Sequence, residues 1–159
     1  MTKAAIVHPR VSERIFSMAI RPLLSEPETY AKAGLTLVAF AYPYLDLELD
    51  WHRHGSSIRL RVDGMDFSYR PVGGWWIDPS GQPLNQGANL VPSNNGFHIL
   101  RESGEQRCWF CFPGWREYHD HSSHQDVSWA SLRRDRGYSV LQLVAQLHQD
   151  LNAPGVMKS

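Results

Sequence analysis

The residues most able to do chemistry are gathered in one stretch of this 159-residue chain. It has eight histidines and two cysteines, and three of those histidines, both cysteines and a glutamate fall within the 17 residues from Cys108 to His124. In order they are Cys108, Cys111, Glu117, His119, His121 and His124. Thiolate and imidazole are preferred ligands of zinc, and four of them complete its tetrahedron. His119 and His121 are two apart, so an extended backbone would point both rings to one side. Pro113 and Gly114 let the chain turn between Cys111 and the histidines. A strand end, a tight turn and a returning loop are therefore expected to wrap one ion. The plainer alternative is a wet loop of polar histidines beside two ordinary buried cysteines. The ligand types and their clustering favour the metal.

Two further chemistries are open to the same residues. If three of Cys111, His119, His121 and His124 bind the ion, Glu117 is placed to act as the general base of a zinc hydrolase. Four ligands, with Glu117 behind them, would give a closed structural site instead. Cys108 or Cys111 is also a candidate nucleophile, although a thiolate tied to zinc makes a poor one, so each cysteine suits one role. A thioredoxin-like redox pair needs a helix after the motif, and Pro113-Gly114 opposes one. The cupin pattern places its glutamate after the paired histidines, whereas Glu117 precedes them. No H-E-x-x-H, P-loop, nucleophile elbow or dinucleotide-binding glycine pattern occurs. His8, His52, His54, His98 and His148 have weaker claims; His52 and His54 lie in a turn and His148 beside an apolar helical stripe.

These residues need elements to position them. Val11, Ile15, Met18 and Ala19 recur at helical spacing, with Ser12 as N-cap, and predict a first helix that Pro22 ends. Ser25 and Glu28 have capping-box spacing, Pro27 suits a first turn and Gly34 a stop, so a second short helix follows. Residues 35–42 (LTLVAFAY) read as a fully buried strand ended by Pro43. Leu45, Leu47, Leu49 and Trp51 alternate with Asp46, Glu48 and Asp50, the pattern of a half-buried strand with an acidic outer face. After a turn containing Gly55, Ile58, Leu60 and Val62 alternate with Arg59 and Arg61, which are placed to pair with that acidic face. Asp63-Gly64 reads as a hairpin turn leading to Phe67 and Tyr69.

Residues 71–96 are rich in Pro, Gly and Asn. They are expected to hold a short strand at 75–77, a turn at 78–81 and an extended segment of the kind that is often functional. Trp75 and Trp76 should face opposite ways, leaving one exposed to a partner. Residues 97–100 and 108–112 read as two strands about a Ser103-Gly104 turn. A helix over 127–134 capped by Asp126 precedes a C-terminal helix with Val140, Leu141, Val144, Leu147 and Leu151 on one stripe, and Ser139 and Gln142 as its capping box. The fold class is α+β, an antiparallel β-meander with N- and C-terminal helices on one face. It forms a single domain: a helical segment 1–34, a metal-binding core 35–152 and a frayed tail 153–159.

Sixteen basic residues against 16 acidic ones leave no net charge. That argues against a nucleic-acid binder that works by neutralising phosphates, and against a polybasic membrane-surface protein. No apolar run approaches the ~20 residues of a membrane helix. The first residues lack the features of a signal peptide, so a cytoplasmic protein is expected. In a reducing compartment the two cysteines suggest metal chemistry before a disulfide.

Around Cys111, Glu117, His119 and the following histidines the sequence resembles the predicted metal-binding CEHH domain family, named for those residue types. The fragment Cys111–His124, with Glu117-Tyr-His119-x-His121-x-x-His124, carries most of the likeness. Tyr42-Pro43, the strand ending at Trp51, Asp78-x-x-Gly81-x-Pro-Leu84 and Trp129 with its helix extend it over roughly residues 40–151. The pattern's final histidine matches either His121 or His124. The resemblance implies a zinc-binding accessory protein encoded with bacterial ubiquitin-like conjugation systems linked to antiphage defence, with protein partners from that pathway. It also leaves open a cysteine-dependent conjugating enzyme, since the order of elements is compatible with a ubiquitin-conjugating-enzyme-like fold.

Overall fold

The computed structural model describes residues 4–84, 90–99 and 108–159. The N-terminal segment forms three short helices, α1 (Pro9–Ala19), α2 (Arg21–Ser25) and α3 (Pro27–Lys32). Each begins with proline at its first or second position, where the missing amide proton costs nothing. Helix α1 is capped by His8, whose ring accepts the Arg10 amide, not by Ser12. Ser12 instead lies one turn inside, buried, and its hydroxyl donates to the Gly64 carbonyl at 3.1 Å. The face of α1 that enters the core is Ser12, Phe16 and Ile20; the expected stripe of Val11, Ile15 and Met18 is exposed.

A four-stranded antiparallel sheet follows in sequence order: β1 (Leu35–Ala41), β2 (Tyr44–Trp51), β3 (Ser56–Asp63) and β4 (Gly73–Ile77). Strand β1 is an edge strand with several exposed residues, not the fully buried strand its composition suggested. On β2 the alternation holds, with Leu45, Leu47, Leu49 and Trp51 all inside the core. The outer face carries the expected charge ladder. Arg61 grips both carboxylate oxygens of Asp46 at 2.8 Å, and Arg59 reaches Glu48 at 3.5 Å. Asp63-Gly64 does not turn a hairpin: residues 64–72 make an irregular connection, and Phe67 and Tyr69 belong to it rather than to a strand. Within it Asp66 is fully buried and accepts the Ile6 and Val7 amides at 2.9 Å, tying down the segment before α1.

Strand β4 is buried on both faces, so Trp75 and Trp76 are both covered. Trp76 pairs with Leu60 on the core side. Trp75 lies opposite Arg61 on the outer side, where the Tyr44 ring meets it edge-on at 5.9 Å. Asp78 then caps the 78–81 turn by accepting from Ser80 and Gln82. Beyond it, β5 (Pro92–Ser93) and β6 (Phe97–His98) are short; β6 pairs with β7 (Trp109–Phe110). The Ser103-Gly104 turn expected between them lies outside the described residues.

Two more short helices, α4 (Arg116–Asp120) and α5 (Trp129–Leu132), precede the long α6 (Val140–Leu151). Helix α5 starts after Ser128 and is shorter than the helix expected over 127–134. Helix α6 buries Val140, Leu143, Val144, Leu147 and Leu151 against the sheet. Its N-cap is Ser139, as the sequence indicates, though the Ser139 side chain makes no capping bond. The tail does not fray. Strand β8 (Met157–Lys158) pairs with β5, Val156 is buried, and the Val91 and Ser159 backbones exchange hydrogen bonds at 3.0 and 2.9 Å. The fold is thus α+β, with helices at both ends of the chain packed about a four-stranded antiparallel sheet. Among the described residues, no helix is long and apolar enough to cross a membrane.

One side chain couples the sheet to the segment after β7. Arg116 donates to the Asp63 carboxylate at 2.9 Å and to the carbonyls of Met65 and Pro71 at 2.8 and 3.2 Å, with both charged groups largely shielded from water. Removing it leaves a shielded carboxylate and several carbonyls without donors. Arg116→Met is therefore expected to destabilise the protein by about 2–4 kcal/mol, whereas Arg59→Met on the exposed ladder should cost less than about 1 kcal/mol. Urea unfolding monitored by tryptophan fluorescence measures both, and equal losses would refute the difference.

Candidate functional site

The residues singled out by the sequence sit on the segment that Arg116 fastens. Backbone contacts begin the docking: the Arg116 amide donates to the Val72 carbonyl at 2.7 Å, and Val72 and Trp115 form a parallel bridge. Trp115, buried, lies on β4 at Gly74. A Cβ there would stand 2.6 Å from the Trp115 ring and 2.8 Å from Phe110, so only glycine admits this approach. Gly114 has φ +95°, and a Cβ would meet Leu143 of α6 at 2.5 Å. The chain is thereby turned sharply just before α4.

That turn changes what the histidines face. Residues 116–120 are helical, not extended, so His119 and His121 do not share a side. His119 points inward. Its Nε2 accepts the Gly114 amide at 3.0 Å, which occupies the lone pair a metal would use. Burial holds its pKa below the ordinary imidazole value, with the Val127 backbone and the Asp120 charge acting the other way. Glu117 faces the sheet, where its Oε1 accepts the Gly74 amide at 3.0 Å. Both residues therefore fasten the loop through backbone amides.

The contact that survives from the expected site is between Cys111 and His124. Their Sγ and Nε2 lie 3.0 Å apart, both side chains half-buried. The Tyr118 ring stacks on His124 at 4.0 Å with an interplanar angle of 13°, and fixes its plane. His121 stands nearby, its ring centroid 5.6 Å from that of His124, and its Nδ1 is 2.7 Å from the Ser123 hydroxyl. Trp109 lies parallel to His121 at 5.7 Å and to His98 at 4.1 Å. His98 and Trp109 are cross-strand partners on β6 and β7, and that register is the signal that would have brought His98 into the group.

Donors of a tetrahedral zinc bound through sulfur and nitrogen stand about 3.5 Å apart, given bonds of ~2.3 and ~2.0 Å. The Cys111–His124 pair is close to that separation and has the right chemistry, so it fits two corners of a zinc shell. Among the described residues, no three His, Cys, Asp or Glu side chains gather closely enough to hold a metal. His119 and Glu117 fit the shell less well, because their inward atoms already hold backbone amides. Cys108, the other candidate nucleophile, is fully buried; its backbone amide donates to the Leu84 carbonyl and burial pushes its thiol pKa up. Of the remaining histidines, His148 holds the Asp50 carbonyl and His54 the Val156 carbonyl, so both are structural.

Comparison of the sequence with models of known families and with curated proteins finds no match to either.

The two cysteines should differ in reactivity. A raised pKa leaves less thiolate at any pH below it, and thiolate is the reactive form. Cys108 is inaccessible as well. Iodoacetamide at pH 8 in the presence of chelator is expected to alkylate Cys111 at least about tenfold faster than Cys108. Peptide mass spectrometry reads the site, and comparable rates would show that Cys108 is not enclosed.

Proposed function

We propose that this protein is a cytoplasmic zinc-binding accessory factor of a bacterial ubiquitin-like conjugation system of the antiphage-defence kind, acting by holding other proteins of the pathway. The observation that carries the metal-binding part is the Cys111–His124 contact at 3.0 Å, a thiol and an imidazole on a loop already clamped to the sheet. Cys111 and His124 would hold the ion, with His121 the nearest further imidazole. Bound zinc supplies a cross-link between the two arms of the loop. Tyr118 orients His124, and Glu117, His119 and Arg116 keep the loop against β4. The pathway is supported by the sequence resemblance around Cys111, Glu117 and His119.

A second reading is favoured by the same contact. An imidazole beside a half-buried thiol is the arrangement of an activated nucleophile, so Cys111, its proton passed to His124, would attack the thioester joining the ubiquitin-like protein to a cysteine of the activating enzyme, whose thiolate leaves and takes up the proton. A zinc hydrolase using Glu117 as base ranks below both, since its Oε1 is engaged by the Gly74 amide.

Protein purified without chelator is expected to contain about one zinc per chain, by elemental analysis. Cys111→Ser and His124→Ala should each lose most of it, and Cys108→Ser should keep it. Absence of any transition metal, or full retention by Cys111→Ser, overturns the metal reading. A thioester on Cys111, seen on non-reducing gels after incubation with the cognate activating enzyme and modifier, would replace it with the conjugating-enzyme reading.

Chelation should also act locally. A structural zinc contributes on the order of 10 kcal/mol in small peptides, but here the sheet and α6 have a core of their own. Hydrogen exchange is expected to rise in residues 111–127 and to stay unchanged in β2, β3 and α6. Loss of protection along the whole chain would mean that the ion supports the entire fold.

A further inference from the structure

Helix α1 carries two stripes, and the fold uses one. Ser12, Phe16 and Ile20 are buried. Val11, Ile15 and Met18 follow a second line at i, i+4 and i+7, about 120° round the helix from the first. They are 50%, 37% and 61% exposed. Ile15 also forms one wall of a groove of about 320 Å³ whose other walls include Val7, Phe67, Tyr69, Arg133 and Arg134. Tyr69 is itself 59% exposed. Single exposed apolar residues are ordinary, but a stripe continuous with a concave groove marks an interaction surface.

The rim of this surface is basic. Arg14 lies on the exposed side of α1 beside Met18, on the flank of the stripe away from Ile15, and Arg133 and Arg134 close the groove. None of the three is in an ion pair among the described residues. The neighbouring acids, Glu13 and Asp135, form no ion pair with them among the described residues. Glu13 falls on the opposite side of the helix from Val11 and Met18, and the Asp135 carboxylate accepts the Gly137 amide.

We infer that this face is a docking site for an acidic segment of a partner protein, which seats an apolar side chain in the groove and sets its carboxylates against Arg14, Arg133 and Arg134. Guanidinium groups suit carboxylates because they can donate two parallel hydrogen bonds to one group. The concavity suits a protruding side chain, where a lipid surface would offer none. The inference rests on the accessory reading in one respect, that the protein works by binding proteins. It needs no metal, because the groove and the Cys111–His124 pair share no residue.

The test uses the full chain and a synthetic probe: an acidic peptide of about fifteen residues with leucines at helical spacing flanked by glutamates. A second peptide has every glutamate replaced by lysine, and vesicles of mixed phosphatidylserine and phosphatidylcholine form a third arm. Binding is followed by calorimetry and by amide chemical shifts. The acidic peptide is expected to bind, to shift Val11, Ile15, Met18 and Tyr69, and to bind at least about tenfold more tightly than the lysine peptide. Ile15→Asp and the double substitution Arg133→Glu, Arg134→Glu should each weaken it about tenfold or more. These positions are exposed, and an unchanged spectrum elsewhere confirms that the variants fold. Cys111→Ser should bind the peptide as the native chain does, so failure of the metal reading and failure of this one are separable. The inference is overturned if neither peptide binds, if both bind alike, or if the shifts map elsewhere. Vesicle binding that Ile15→Asp abolishes, or self-association that it abolishes, would assign the face to a membrane or to a second copy instead.

Discussion

The Arg116 guanidinium is the constraint on which the arrangement of the candidate site depends. It reaches across 53 residues to Asp63 and spreads its remaining donors over the carbonyls of Met65 and Pro71. Those acceptors belong to the irregular connection between β3 and β4, a stretch with no ladder of its own to satisfy them. The same side chain therefore organises two segments at once. It orders the connection, and it fixes the first residue of α4, from which Glu117 and His119 are aimed. A lysine has one compact charged head and could not serve a carboxylate and separate carbonyls together.

Around that anchor the segment is fitted to β4 by shape. Gly74 leaves a recess that the Trp115 ring occupies, and its freed amide is taken by Glu117. Gly114 brings the chain close to Leu143 of α6, and its amide is taken by His119. Two glycines and two titratable side chains thus act as complementary halves of one clamp. The histidines beyond the clamp, His121 and His124, are oriented by aromatic neighbours, Trp109 and Tyr118. The pair with Cys111 is built on this frame. Its chemistry is separate from the clamp's, which explains why residues adjacent in sequence divide between the two tasks.

The central strands were legible because period-two alternation from Leu45 to Trp51 and from Ile58 to Val62 admits one arrangement, and the Asp46–Arg61 and Glu48–Arg59 pairs follow from the register. Helix α6 was legible for the same kind of reason. Other residues misled in definite ways. Val11, Ile15 and Met18 make a good apolar stripe, yet periodicity cannot say which stripe the fold covers, and Phe16 outweighed it. Trp75 and Trp76 do point to opposite faces, but the outer face is itself roofed by Tyr44 and Arg61. The spacing of His119 and His121 implied a shared direction only for an extended chain; one helical turn at α4 sends them apart. The types of residue at the site were readable, and their division into clamp and donor pair was not, because it depends on the contact of Glu117 with Gly74, 43 residues away, and on a turn at Gly114 shaped by its packing on α6.

The pairing of β8 with β5 bears on how the polypeptide is made. Ser93 and Ser159 meet although they are 66 residues apart in the chain. At roughly 5–20 residues per second, a ribosome needs on the order of 3–13 s to synthesise that interval. During that time the sheet and its hairpins can already have condensed, because their contacts are local. The segment around Val91, however, has to wait with its apolar side chain and unpaired edge in the open. An exposed edge of this kind is where a nascent chain is most vulnerable to mispairing. The closing strand is thus a late-arriving seal, and the stretch it covers stays open until the last of these residues has emerged.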